Sequence, residues 1–203
     1  MRKLFFLFLA LVATTSLWAF DFESGDLYYT ITRSSAPYTV EVSDAVLSIT
    51  SAIIPETVTY NGTTYSVTSI GEKAFWYCYS LTSVTIPNSV TSIGNRAFDY
   101  CRSLTSVTIN SDAIVSKSYS DDSTISDIFG SQVTEYIIGD DVKKIGNNAF
   151  YDCSSLTSVT IGNSVTSIGK YAFDYCSSLT SVTIPNSVTS IGEANHVGLC
   201  IQI

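Results

Sequence analysis

The sequence predicts a solenoid of stacked, β-rich rungs, and three observations lead to this fold class. A block of 23 residues occurs four times, at residues 66–88, 89–111, 141–163 and 164–186. The apolar residues keep the same positions in each block, and in residues 89–111 the residues between them are small or polar. A rung of this size cannot bury its apolar edge alone, so it must stack on its neighbours. Self-similarity at a period of about 20–50 residues is typical of such repeat architectures.

The main strand of each rung has a recognisable form. Residues 104–109 read Leu-x-x-Val-x-Ile, which matches the strand-forming part of a leucine-rich repeat, with Ser106 and Thr108 facing outward. We therefore predict a leucine-rich-repeat solenoid of the α/β horseshoe class, rich in β-structure. Its parallel strands should be centred near Val84, Val107, Tyr136, Val159 and Val182.

A second extended piece and a turn complete each rung. Residues 90–93 form the second piece, which is closed by Gly94, a residue that can take a positive φ. Residues 95–100 indicate one short helical turn, and its Phe98 should fill the space between the two extended pieces. The phenylalanines predicted to lie inside are Phe75, Phe98, Phe150 and Phe173.

The first 19 residues indicate export. Arg2 and Lys3 precede an apolar run at residues 4–12, as in a secretory signal peptide, and we expect cleavage after Ala19. The run is too short to cross a membrane, so we expect no transmembrane segment after signal removal. Loss of the two cations would take the formal net charge from −8 to −10. The pattern predicts a secreted or cell-surface protein.

The segment before the first regular rung predicts a β cap. Residues 27–32 and 38–42 alternate as two strands do, and an open solenoid end needs covering. Residues 49–56 resemble a degenerate first repeat strand, and Asn61-Gly62 is a strong hairpin signal. The predicted divisions are a signal peptide at 1–19, the cap and degenerate strand at 20–65, the solenoid at 66–192, and an irregular end, expected to be truncated, at 193–203.

One rung departs from the period. Residues 112–140 number 29, six more than the other blocks, although residues 133–139 still fit the repeat strand. The extra length lies within residues 116–127, which are polar and predict a protruding loop. Loops on rigid scaffolds often carry function, and tolerated sequence drift is the alternative.

One cysteine recurs at the same position of every regular rung. A column of buried thiols is the favoured interpretation, because metal sites usually pair close Cys or Cys/His ligands and no C-x-x-C is present. Adjacent rungs lie about 4.8 Å apart, which leaves disulfides between neighbours open, although parallel side chains oppose that geometry. The residues are Cys78, Cys101, Cys153 and Cys176, with Gly130 at this position in the long rung.

The composition and the polar residues give little support to nucleic-acid binding, catalysis or metal binding. The acidic balance disfavours nucleic-acid binding, which needs a basic surface. His196 is the only histidine and stands where the repeat expects Phe, so a catalytic triad is not supported. Asp121, Asp122 and Asp127 could meet a Ca²⁺ ion, but they lack EF-hand alternation, and a solvated acidic loop is favoured. We predict no cofactor, no metal site and no catalytic residue.

The blocks resemble the BspA-like leucine-rich-repeat family, whose repeat is also 23 residues long. The matching motifs are Val-Thr-Ser-Ile-Gly, Ala-Phe, a cysteine three residues after the Phe, and Leu-Thr-Ser-Val-Thr-Ile-Pro-Asn. The match covers about residues 49–192. The resemblance implies a curved solenoid with a parallel sheet on one face, display at the cell surface, and binding to proteins or other cells. It implies no single ligand and no catalytic residues.

The outward strand positions are the candidate binding residues, since solenoid faces are common binding surfaces. A repeat that simply favours small β-formers is the alternative. Glu135 and Ile137 alone break the Ser/Thr pattern, and Lys143-Lys144 should lie on another face. The candidates are Ser83, Thr85, Ser106, Thr108, Glu135, Ile137, Ser158, Thr160, Ser181 and Thr183.

These observations favour an exported, non-enzymatic binding or adhesion module. Its expected partners are proteins of host or neighbouring cells, with glycans as an alternative. A carbohydrate-active or hydrolytic surface enzyme would need paired carboxylates in a cleft, and no such pair recurs. A passive structural spacer is the third hypothesis.

Overall fold

The computed structural model describes residues 20–120 and 123–193. The predicted signal segment, Asp121-Asp122 and residues 194–203 with His196 lie outside the described residues. No helix in the described part is long and apolar enough to cross a bilayer. The elements are β1 Phe22–Ser24, β2 Leu27–Arg33, β3 Thr39–Ala45, β4 Ser51–Ile53, β5 Thr57–Tyr60, β6 Thr63–Ile70, β7 Ser83–Ile86, β8 Ser92–Ile93, β9 Ser106–Ile109, α1 Asp112–Val115, α2 Ile125–Phe129, β10 Glu135–Ile138, β11 Lys144–Ile145, β12 Ser158–Ile161, β13 Ser167–Ile168 and β14 Ser190–Ile191.

Five parallel strands form one sheet, the repeat sheet, in the order β12-β10-β9-β7-β4. Equivalent residues of successive rungs lie side by side, so that Val107 pairs with Val84 on one side and Tyr136 on the other. The four strands predicted near Val84, Val107, Tyr136 and Val159 are confirmed, and so is the degenerate first strand, now β4.

The fifth strand, predicted near Val182, does not form. Only Thr183 makes an isolated bridge, although Val182 itself is buried. In the other rungs a threonine N–H just before the strand bonds to the rung before it, as from Thr157 to the carbonyl of Thr134. Thr180, the equivalent residue, makes no such bond among the described residues. Among the described residues, this segment has a neighbouring strand on one side only. Fewer backbone hydrogen bonds therefore hold it in an extended conformation.

The second extended pieces form short parallel pairs away from the repeat sheet. β8 pairs with β6, while β11, β13 and β14 form a separate three-stranded sheet. Lys144 therefore lies in a different sheet from the candidate residues, as the sequence predicted. Between the two groups, α1 occupies the place of a short strand, so the long rung interrupts this column.

The N-terminal segment builds an extended sheet beside the first rung. β1, β2 and β3 are antiparallel neighbours, and β3 pairs in parallel with β6. β5 and β6 form the predicted hairpin, in which Asn61 and Gly62 have φ of 48° and 77°. Positive φ at both turn residues is the conformation that Asn-Gly favours in two-residue hairpins.

The predicted helical turns of the regular rungs are wrong. The chain makes tight turns there, in which Arg96 and Tyr100 have φ of 58° and 63°, and each regular rung repeats these two positive-φ positions. A right-handed helix needs negative φ throughout. Gly94, by contrast, is not at positive φ. A Cβ there would lie 2.5 Å from the backbone nitrogen of Glu72, so this position needs glycine because two rungs approach closely.

The core follows the stacking of the rungs. The four predicted phenylalanines are buried, and Phe75 and Phe98 stack in parallel with ring centroids 4.8 Å apart. Phe150 and Phe173 stack in the same way at 5.2 Å. Each rung thus covers the apolar edge of the next, as the repeat predicted.

The long rung contains the helices, and its extra residues are not simply a protruding polar loop. Tyr119 is buried, and its hydroxyl donates to the carbonyl of Ile114 at 2.8 Å. Ile125 is also buried, and its N–H bonds to the carbonyl of Ala149. Lys117 and Ser118 remain exposed. The sequence prediction failed because a few apolar residues spaced among polar ones carry most of the packing.

Candidate ligand-facing surface

The repeat sheet aligns the candidate residues in two rows. Parallel register places Ser106 beside Ser83 and Glu135, and Thr108 beside Thr85 and Ile137. Ser158 and Thr160 continue the rows on β12. Side chains of a strand alternate between its two faces, so the residues between them point into the core. Ser181 and Thr183 extend the rows in sequence but lie outside any formed strand.

Sequence reasoning missed the first members of both rows. Ser51 and Ile53 of β4 pair with Ser83 and Thr85. Ile53 is 75% exposed, which is unusual for a large aliphatic side chain. The similarity of residues 49–56 to the repeat strand is the signal that could have found them, because it extends both rows by one strand.

Few of the row hydroxyls are bound within the protein. Ser51 and Ser83 share a hydrogen bond of 2.9 Å, and the hydroxyl of Ser106 donates to Glu135 at 2.6 Å. Glu135 is the only charged residue in the five strands of the repeat sheet. Thr85, Thr108, Ser158 and Thr160 have no side-chain hydrogen bond among the described residues. Their donors and acceptors are therefore available to a ligand.

A neighbouring row of threonines serves the scaffold instead. The hydroxyl of Thr82 donates to the carbonyl of Thr50 at 2.8 Å, and that of Thr157 donates to Thr134 at 3.1 Å. Thr105 and Thr134 make the same kind of bond to the preceding rung. Hydroxyls that hold the rungs together are thus distinct from those on the candidate surface.

The candidate surface contains a hollow at the end of the rows. A cavity of about 500 Å³ lies between β12 and the following segment. Four candidate residues line it: Ser158, Thr160, Ser181 and Thr183. The hollow exists because the strand predicted near Val182 does not pair fully with β12.

The cysteine column shows no sign of activation. All four thiols are free and buried, and the thiol of Cys101 donates to the carbonyl of Phe75 at 3.1 Å. Burial raises the pKa of Cys78 to about 11 and that of Cys101 to about 12. A hydrogen bond with Cys176, together with burial, raises the pKa of Cys153 far above its usual value. A nucleophilic or metal-binding cysteine needs the opposite shift, toward the thiolate.

Of the three aspartates considered for Ca²⁺ binding, the structure describes Asp127, and this residue has a structural role. Asp127 accepts hydrogen bonds from the backbone and the hydroxyl of Thr124, at 2.6 and 3.1 Å, and so caps α2. Within residues 20–120 and 123–193, no group of three or more His, Cys, Asp or Glu side chains is arranged to hold a metal ion.

Comparison with known families identifies the repeat. Residues 46–137 and 127–197 match the family model described as BspA type leucine rich repeat region, in six copies. The comparison with curated proteins gave no match.

Three solved structures are similar to the chain. A leucine rich cell surface protein from Faecalibacterium prausnitzii is 29% identical, with 86% of this chain and 51% of that one covered and a TM-score of 0.48. The pneumococcal vaccine antigen PcpA is 19% identical, over 89% of this chain and 48% of that one, at a TM-score of 0.52. A leucine-rich repeat protein from Eubacterium ventriosum is 19% identical, over 88% and 51%, at 0.51. The last two show the leucine-rich-repeat fold, and the chain spans about half the length of all three.

Proposed function

The chain belongs to the BspA-type leucine-rich-repeat family, and from this membership we propose that it is an exported, non-enzymatic binding module. It recognises proteins of host or neighbouring cells through the two outward rows of the repeat sheet. The observation that carries this proposal is the set of in-register hydroxyls that have no partner within the described chain. Strands β1–β3 of the N-terminal sheet act as a cap on the first rung. Export of the protein is inferred from the signal-like residues 1–19. Cell fractionation that found the chain only in the cytoplasm would contradict export.

Affinity on such a surface arises from several rungs together. One neutral hydrogen bond contributes about 0.5–1.5 kcal/mol net, so a single hydroxyl pair cannot hold a partner. Ile53 adds exposed apolar area, the half-buried Ile137 adds a smaller amount, and Glu135 adds one charge. Display of several copies on one surface would strengthen binding further without new contacts.

Substitutions on the rows test the proposal without touching the core. Glu135→Ser with Ile137→Thr makes the rows uniform, whereas Thr108→Trp and Thr160→Trp obstruct them. The matched control is Lys143→Thr with Lys144→Ser, which gives the other sheet the residues of the regular rungs. Binding is measured on arrays of immobilised cell-surface proteins, on glycan arrays and on whole cells, with product analysis for any turnover.

We expect the tryptophan variants to lose at least about tenfold in affinity, while the lysine control keeps its affinity. The proposal fails if binding survives both the uniform and the obstructed variants, because the ligand then lies elsewhere. Conversion of an arrayed glycan or protein to product would contradict the non-enzymatic assignment.

A further inference from the structure

The first two regular rungs carry an aromatic cluster at their tight turns, away from the repeat sheet. We define the aromatic cluster as Trp76, Tyr77, Tyr79 and Tyr100, together with Arg102. The ring centroid of Tyr77 lies 4.1 Å from that of Trp76, 5.4 Å from that of Tyr79 and 4.7 Å from that of Tyr100. The Arg102 guanidinium lies 5.8 Å from the rings of both Tyr79 and Tyr100.

The fold does not require these tyrosines. Tyr77 and Tyr100 stand at a left-handed turn position, with φ of 64° and 63°. The same position holds Asp152 and Tyr175 in the two later regular rungs, at φ of 53° and 58°. A left-handed conformation costs an ordinary L-residue about 1–2 kcal/mol, and Asp and Asn tolerate it better. A large aromatic residue is therefore an expensive choice at a position that a smaller one can occupy.

Two further members of the cluster also stand where the repeat accepts a smaller residue. Tyr79 and Arg102 occupy the repeat position that Ser154 and Ser177 fill in later rungs. Tyr79 is 48% exposed and Tyr100 is 41% exposed. Exposed Tyr and Arg in contact with the half-buried Trp76 and Tyr77 have the composition of protein-binding hot spots.

An open groove continues the cluster toward the N-terminal sheet. It measures about 780 Å³, and its lining includes Tyr28, Asp44, Leu47, Trp76 and Tyr77. Leu47 is 61% exposed, so apolar surface runs on beyond the rings. The cluster and the groove together form an elongated surface, which suits an extended segment better than a compact one.

The packing of the rings favours a polypeptide over a sugar. A sugar that stacks on an aromatic side chain needs a free ring face. Tyr77 already contacts three other rings, and Arg102 covers Tyr79 and Tyr100. Ring edges and phenol hydroxyls remain for a partner, and these are what peptide side chains and carbonyls contact.

The charges of the surface define the partner further. Arg96 pairs with Asp99 at 2.6 Å and Lys73 with Glu72 at 3.1 Å. Arg102 has no ion-pair partner among the described residues, so the N–H groups of its guanidinium are available to bind a carboxylate. We propose that the aromatic cluster is a second binding surface, which holds an extended protein segment whose acidic side chain pairs with Arg102.

Selection from a phage-displayed library of 12-residue peptides on the full chain tests this proposal. The variants are Arg102→Ser and Tyr79→Ser, which introduce the residue that later rungs carry, and thermal melting checks their folding. Glu135→Ser with Ile137→Thr is the control on the other surface. A glycan array is probed with the same proteins.

We expect selected peptides to combine Asp or Glu with apolar residues and to lose at least about tenfold in affinity on Arg102→Ser. Replacing the peptide's carboxylate by its amide should cause a similar loss on the wild type and little further loss on Arg102→Ser. The control should bind as the wild type does. The proposal is overturned if no peptide depends on Arg102 or Tyr79, if binding follows Glu135 and Ile137 instead, or if these variants abolish binding to a glycan.

Discussion

The regular rungs and the long rung, residues 112–140, build the same stack with different local structures. In the regular rungs a tight turn places a phenylalanine in the core, as with Phe98. In the long rung the equivalent sequence position is Asp127, which caps α2, and Phe129 at the end of that helix is buried instead. Its ring lies 4.9 Å from that of Phe98. The stack therefore constrains which volume is filled, and not which sequence position fills it.

The extra length is absorbed on one side of the rung only. Strand β10 pairs with β9 in full register, although equivalent residues are 29 positions apart there and 23 apart between β7 and β9 and between β10 and β12. On that strand Tyr136 takes the place of valine and reaches Phe150, with ring centroids 4.9 Å apart. The repeat sheet tolerates no slip, because one residue of shift would turn its buried side chains outward.

The largest expected effect tests whether Phe129 fills the core of the long rung as Phe98 fills the core of a regular rung. Each change to alanine should reduce the free energy of unfolding by about 3–5 kcal/mol, since a large ring is removed from a packed core. Urea denaturation of both variants provides the measurement. A loss below about 1 kcal/mol for Phe129→Ala alone would show that α2 is an appendage and that the stack is interrupted there.

A smaller effect of opposite sign is expected at Tyr136. Its hydroxyl is buried without a hydrogen-bond partner in the described part of the chain, and burial raises its pKa well above the ordinary value. Tyr136→Phe should stabilise the protein by about 1 kcal/mol, because an unsatisfied polar group is removed. Tyr119→Phe is the matched control and should destabilise by about 1 kcal/mol, since that hydroxyl is bonded to Ile114. Denaturant melts in which both changes destabilise would mean that Tyr136 has a partner.

The smallest effect at neutral pH comes from the column of buried thiols, which lies in the regular rungs: Cys78, Cys101, Cys153 and Cys176. The folded-state pKa of Cys101 is about 12, and an unfolded thiol ionises near about 8.5. The raised pKa means that the stabilisation is complete below about pH 8.5 and is lost as the pH rises toward the folded value. Between about pH 8.5 and 10 the wild type should lose stability, and Cys101→Ala should lose less.

Urea midpoints at pH 7.5, 9 and 10 measure this dependence. If the urea midpoint falls with pH by the same amount in the wild type and in Cys101→Ala, the thiols are not buried in their protonated form. Rapid labelling of the four column cysteines in the native protein would contradict their burial as well.

Sequence reasoning worked where the information is periodic. Val84, Val107 and Val159 were placed on buried strand positions because the repeat fixes them, and the outward rows follow from alternation along each strand. The resemblance to a family added display and binding as expectations. Sequence reasoning did not identify Tyr119 and Phe129 as core residues, because they lie in the one segment where the repeat is lost.

The sequence by itself determined the rung, its strand, its phenylalanine and its thiol, because each of these recurs and is set by residues close in the chain. Only the tertiary structure decided the turn conformation at Tyr100, the need for glycine at Gly94 and the contact between Phe98 and Phe129. Each of these depends on the neighbouring rung: stacked turns bond to one another, as Tyr77 does to Asp99, and adjacent backbones limit the space at Gly94. The aromatic cluster likewise joins side chains from two rungs, and no spacing within a single rung predicts it.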